Sequence, residues 1–197
     1  MPQIQTCIDK VQAGILTASQ PPKTDTGTRR QKIALEGRAY LVPWPTIINP
    51  QVIDPSLQAL FDQLTGGDLP WPLYLYGDTG RGKSCAVITL LNRVAYSAYL
   101  RLSGLIAEYI DRTTIWAWYR DTPLVGLDEV GCHRVPCEPE YQALKQLADI
   151  REGKPTVWVS NLDPKALRQH YDDRIYSRLC CGTWFNLEGP DRRFQEK

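Results

Sequence analysis

The chain has 197 residues, room for one full domain and an arm but hardly for two separate cores. Apolar residues make up 43% and charged residues 23%, which excludes a collagenous, low-complexity or wholly disordered chain, and a net charge of +1 gives no bulk electrostatic case for wrapping duplex DNA. No apolar run approaches the roughly 18 residues of a membrane span, and the opening MPQIQTCIDKVQ lacks the basic-then-apolar signal pattern, so a cytoplasmic chain is expected.

Charge must therefore act locally; the two ends are mildly basic and the middle is acidic. The six cysteines, Cys7, Cys85, Cys132, Cys137, Cys180 and Cys181, form no CxxC pair and read as reduced thiols.

Residues 1–60 read as an N-terminal arm that binds a partner, and residues 61–197 as the catalytic domain. Ile4 to Leu16 suits a short helix, followed by the linker-like SQPPKTDTGTRRQK, whose Arg29, Arg30 and Lys32 are more often merely solvated than bound to phosphate. Four prolines in YLVPWPTIINPQVIDP exclude a regular helix and predict an extended path, and Ser56 to Leu64 predicts a short helix.

From Trp71 onward strands and helices alternate. Leu73 to Tyr76 is β-prone and ends in glycine; Val87, Leu90, Leu91, Val94, Ala95 and Ala98 then recur at helical spacing. A second strand is expected near Ala98 to Leu102, running into Ser103 as N-cap of a helix through Trp118. A third strand, Pro123 to Leu127, ends on Asp128-Glu129. A helix from about Glu140 to Arg151, a strand Thr156 to Val159, an Asp163-Pro164 helix start, a helix Asp173 to Cys180 and a strand Trp184 to Leu187 complete the series. This alternation implies right-handed crossovers and a mostly parallel sheet covered on both faces, with ligands at the carboxyl ends of its strands.

Gly77-Asp78-Thr79-Gly80-Arg81-Gly82-Lys83-Ser84 fits GxxxxGK[ST] at every fixed position, between an expected strand and an expected helix. Glycines let the backbone turn around an anion, so that N–H groups and the positive end of the following helix point at phosphate. Lys83 adds a mobile charge, and the Ser84 hydroxyl suits a magnesium ligand. The strand LVGL ending on Asp128 and Glu129 places one carboxylate to hold that metal and the other to orient or polarise a water; without the upstream loop the pair would read as a solvated strand end. TVWVSN ends instead in small polar groups, where the Asn161 amide, and second to it Ser160, can hydrogen-bond a phosphate or the water.

Arg174 and Arg178, at i and i+4, share one helix face and can reach the phosphate of a neighbouring subunit; the alternative is a surface pairing with Asp172 or Asp173. Cys132, His133 and Cys137 offer three metal-ligand types without a fourth and read as structural. Trp116, Trp118 and Tyr119 suit core packing better than base stacking.

In order, GDTGRGKS, GLDEVG, VWVSNLDP and DDRIYSRLCCGTWFNLEGPDRR resemble the AAA+ ATPases of the DnaC/IstB type, which comprise bacterial and phage helicase loaders and the helper ATPases of certain transposons; the likeness covers about residues 70–194. The resemblance implies an α/β P-loop NTPase of AAA+ type with a mostly parallel five-stranded sheet flanked by helices. It also implies no C-terminal helical lid, since only ten residues follow Leu187. It implies ATP and Mg2+ as cofactors, a Walker A loop at Gly77 to Ser84 with Cys85 beside the nucleotide, and Walker B at Asp128 and Glu129. Sensor 1 then falls at Asn161, an arginine finger at Arg178 in preference to Arg174, and a last basic position at Arg192 or Arg193.

The function so implied is an ATP-dependent loader that delivers a replicative ring helicase to single-stranded DNA. It would self-associate through its arginine-finger face and hydrolyse ATP slowly as an assembly switch. A transposition helper of the same fold is the alternative; a P-loop small-molecule kinase fits less well, because the Asp-Glu pair suits water activation.

Overall fold

The computed structural model describes residues 54–94, 96–112 and 116–191. The expected helix Ile4–Leu16, the basic run, Cys7, Arg192 and Arg193 lie outside them.

Helix α1, Pro55–Gly66, opens on Asp54, whose carboxylate accepts the Ser56 N–H at 2.8 Å, with proline in the first turn. Gly67, at φ 88°, closes it. Its Leu57, Phe61 and Leu64 recur at i, i+4 and i+7 and are buried against one face of the sheet.

The sheet holds β1 (Leu73–Tyr76), β2 (Ala98–Arg101), β3 (Val125–Val130), β4 (Thr156–Ser160) and β5 (Thr183–Asn186), in the spatial order β2-β3-β4-β1-β5. Every pairing is parallel. Helices α2 (Lys83–Leu91), α3 (Leu102–Ile110), α4 (Trp116–Asp121), α5 (Glu138–Ile150), α6 (Pro164–His170) and α7 (Asp173–Leu179) fill the crossovers. The three inner strands are buried on both sides, as parallel strands between helical layers must be. Alternate residues serve opposite layers. Tyr74, Leu127 and Trp158 meet α3, α5 and α7, whereas Leu75, Val157 and Val159 meet α1 and α2. Gly126 sets the spacing on the second side: a Cβ there would stand 2.8 Å from Val87 and 2.9 Å from Leu91, so only glycine admits α2 this close to β3.

Two expectations are corrected. The helix expected from Ser103 to Trp118 is two helices, since α3 starts at Leu102, behind Arg101 as N-cap, and stops at Ile110 before Arg112 takes a left-handed φ of 55°. The helical spacing through Val94 and Ala98 also overran: α2 ends at Leu91, Tyr96 turns at φ 61°, and Ala98 opens β2.

Arg151 binds the pieces together. It is 3% exposed, and its guanidinium donates to the carbonyls of Tyr119, Arg120, Thr122 and Pro155 and to the Thr156 hydroxyl, tying α4 to the α5–β4 turn. Burial lowers its pKa to about 10, so it stays charged at neutral pH. Trp116 and Trp118 each pack edge-to-face on Tyr119, which is buried, in keeping with a core role.

Candidate nucleotide site

The chain leaves β1 at Tyr76 and turns through Gly77, at φ 145°, where a Cβ would lie 2.5 Å from the Leu187 carbonyl. Any side chain there would push the loop off the segment after β5, whose Leu187 N–H donates to Tyr76 O at 2.7 Å. Gly82, at φ 90°, is the N-cap of α2 and supplies no capping side chain, so the positive end of the helix faces into the loop. Lys83 is 8% exposed, and its ammonium donates to the carbonyls of Gly77 and Asp78, each at 2.7 Å. A cation is thus held inside a ring of backbone. Ser84 and Cys85, half-buried, follow in the first turn of α2; Thr79 is exposed at the loop's tip, and Arg81 pairs at 3.0 Å with the exposed Asp78. Asp191 lies against Gly80.

At the end of β3, Asp128 is 4% exposed. Its Oδ2 accepts the Tyr99 hydroxyl at 2.7 Å and its Oδ1 the Glu129 N–H at 2.8 Å. Burial, and then the Asp128 charge, pushes the Tyr99 phenol well above its usual range, so it remains a donor. Glu129 adopts φ 66° within a shift of register between Leu127 and Val130, an irregularity that re-aims a side chain at some cost in strain. Its carboxylate is half-exposed, 3.9 Å from the Arg101 guanidinium. Tyr99 and Arg101 were missed in the sequence. They join the site because β2 pairs with β3, setting Arg101 beside Asp128, and strand order is not written in local composition.

The loop residues Gly77, Asp78 and Arg81 share a cleft of about 640 Å3 with Asn161, Asn186 and Glu188, within the range of small-ligand sites. Asn161, just past the end of β4, therefore faces the same cleft as the loop, whereas Asp128 and Glu129 stand one strand further along the sheet. Ser160 is spent on structure: its buried hydroxyl donates to Val130 O at 2.6 Å and accepts the Leu162 N–H at 3.0 Å.

The loop after β3 is pinned from behind. Fully buried Glu140 accepts the Tyr171 hydroxyl at 2.5 Å and lies 2.8 Å from His133 Nδ1, while the Tyr171 oxygen accepts the Gly131 N–H at 3.1 Å. His133 is thereby engaged with Glu140, and among the described residues no cluster of three His, Cys, Asp or Glu could hold a metal ion.

Arg174 and Arg178 sit on α7, away from the loop. The alternative of a side-chain pairing with Asp172 or Asp173 is not the arrangement found. Asp173 pairs with Arg168, and Asp172 accepts the Ile175 N–H and the Tyr141 hydroxyl, while Arg178 pairs across to Asp149 of α5. Arg178 lines a small cavity with Pro72 and Gly153, which precede β1 and β4, so it lies at the opposite end of the sheet from the phosphate loop. Arg174 is exposed at the first turn of α7.

No family model and no curated protein matches the chain. Solved structures do. DnaI superposes with a TM-score of 0.63 at 19% identity, covering 79% of this chain and 95% of that one. A Streptococcus pyogenes serotype M3 protein provisionally assigned as a primosome component gives 0.61 at 22%, covering 79% and 94%. The replication initiator DnaA bound to AMPPCP and single-stranded DNA gives 0.60 at 20%, covering 75% and 53%. This is the AAA+ fold. The chain spans about half the length of two of the DnaA structures, 53% of the AMPPCP- and DNA-bound one and 47% of the Aquifex aeolicus one. The resemblance read from the motifs is thus borne out for the fold, and the AAA+ sheet places Gly77–Ser84, Asp128 and Asn161 at the carboxyl ends of β1, β3 and β4. No helix among the described residues is long and apolar enough to cross a membrane.

Proposed function

We propose that the chain is an ATP-hydrolysing assembly factor of the helicase-loader type. The observation that carries this reading is the buried Lys83 ammonium inside the Gly77–Ser84 loop, with a carboxylate pair at the end of β3 of which one member is fixed and the other turned outward. The loop N–H groups and Lys83 hold the β- and γ-phosphates of ATP, while Ser84 and Asp128 would hold a magnesium ion that offsets their charge. Asp128 suits that role, because Tyr99 and the Glu129 N–H fix it without neutralising it.

Glu129 takes the proton of a water as its oxygen attacks the γ-phosphorus. The bond from phosphorus to the bridging oxygen breaks, leaving ADP and inorganic phosphate. Asn161 orients the water or the phosphate from β4, and Arg178 of a neighbouring copy completes the site, so turnover depends on assembly. A ring helicase as partner is supported by the resemblance to helicase loaders and by the near full-length match to DnaI, and contact with single-stranded DNA by the DnaA neighbour.

The test is light scattering after gel filtration, with the replicative hexameric helicase of the same host, with and without a non-hydrolysable ATP analogue. A complex of defined mass that the analogue strengthens and Lys83→Ala weakens is the expected result. No complex in either state, with the chain forming long assemblies on duplex DNA and analogue, would overturn the loader reading in favour of a transposition helper.

A further inference from the structure

Resting on the reading that Arg178 completes a neighbour's site, we infer that Asp149 is the positioning residue that holds this arginine ready. Arg178 stands in the last turn of α7 and Asp149 near the end of α5, two helices packed side by side on the same face of the sheet. Their ion pair joins Arg178 Nε to Asp149 Oδ1. Both atoms are shielded from solvent, and neither has a hydrogen-bond partner among the described residues, so the contact is an ion pair alone, although the side chains are 26% and 36% exposed.

The ion pair holds the Nε side of the guanidinium against Asp149, and no hydrogen bond among the described residues engages its terminal nitrogens. A guanidinium presents its donors as a rigid planar fork, so pinning Nε sets the direction of both terminal nitrogens. The arginine cannot serve its own site: it lies beside the starts of β1 and β4, a strand length of roughly 13 Å from the phosphate loop. Without Asp149 the side chain regains its rotamer freedom and must be ordered anew in each encounter, which lowers turnover and leaves nucleotide affinity alone.

The experiment compares full-length wild type, Asp149→Asn, Arg178→Ala and the double variant by steady-state ATP hydrolysis at concentrations where the chain assembles, with binding of a fluorescent ATP analogue measured alongside. Asp149→Asn should lower kcat about tenfold or more with KM and analogue binding unchanged, and Asp149→Glu should recover part of the loss. The double variant should be no slower than Arg178→Ala alone, since Asp149 acts only through that arginine. Mixing Asp149→Asn with Lys83→Ala should restore hydrolysis, because one chain brings a working loop and the other a working arginine; mixing it with Arg178→Ala should not.

Wild-type kcat in Asp149→Asn while Arg178→Ala is slow overturns the role of Asp149 and spares the parent reading. Wild-type kcat in Arg178→Ala, or no hydrolysis by the wild type, overturns the parent reading and this inference with it. Should Asp149→Asn fail to bind the analogue, Asp149→Glu decides: loss of binding there as well makes Asp149 a structural residue and overturns the proposal.

Discussion

Lys83 is the side chain on which nucleotide binding turns in the proposed function. Its two carbonyl partners hold the ammonium inside the loop, and a phosphate would meet it there already desolvated. Charge-assisted hydrogen bonds are worth about 1.5–3 kcal/mol, so Lys83→Ala should weaken binding of a fluorescent ATP analogue by about tenfold or more in an equilibrium titration. Glu129→Gln separates binding from chemistry: analogue binding should persist, while phosphate release falls by about 100-fold or more. Tyr99→Phe probes the support of the site. It removes the hydroxyl that the buried Asp128 accepts, at a cost of about 1 kcal/mol, and thermal unfolding should show a Tm lower by about 2–4 °C. The chemistry of Lys83 and Asp128 was legible because spacing and residue type determine it locally. Tyr99, Arg101 and Asp149 were not, because their roles arise from strand order and helix packing between segments far apart in the chain.

At the scale of elements, apolar periodicity located β1, β3, β4, α5 and α7 to within a few residues. It failed where the backbone breaks a helix without proline or glycine: Arg112 and Tyr96 take left-handed conformations that tertiary packing imposes and residue type does not announce. The close approach of α2 to β3 was equally hidden, since one glycine within an apolar strand looks like a weak strand former. Gly126→Ala puts a methyl group into Val87 and Leu91 and should cost about 1–3 kcal/mol, read from denaturant unfolding.

The start of α7 offers a pH test. Partial burial pushes the Asp172 carboxyl up, but hydrogen bonds from the Ile175 N–H, the Tyr141 hydroxyl and the Arg174 N–H outweigh it and hold the carboxyl below its ordinary value. Folding therefore gains from Asp172 above the unfolded value of about 4, and that gain is lost as pH falls through the lower folded value. Asp172→Asn should lower Tm at pH 7, and the gap from wild type should narrow below about pH 4.

Over the whole molecule, alternation of strands and helices was enough to anticipate a parallel sheet with its ligand site at the carboxyl ends. The order β2-β3-β4-β1-β5 adds what alternation does not contain, namely that Asn161 borders the phosphate loop and the Asp128-Glu129 pair lies beyond it. Arg151, whose five hydrogen bonds draw α4, α5 and β4 together, gave no signal in the sequence, because a single arginine after a helix reads as surface.

Arg178 and the phosphate loop occupy opposite ends of the sheet, and under the proposed function that separation sets the stoichiometry of any assembly. Each contact joins unlike surfaces, so copies stack in one direction and two of them cannot complete each other's sites through a single two-fold contact. A row of n copies then contains n − 1 complete sites, a single copy none, and a closed ring n. Turnover per chain would rise with the length of the row rather than in one step on pairing, and a partner that exposes one terminal loop or one terminal arginine could recruit the row by either end alone.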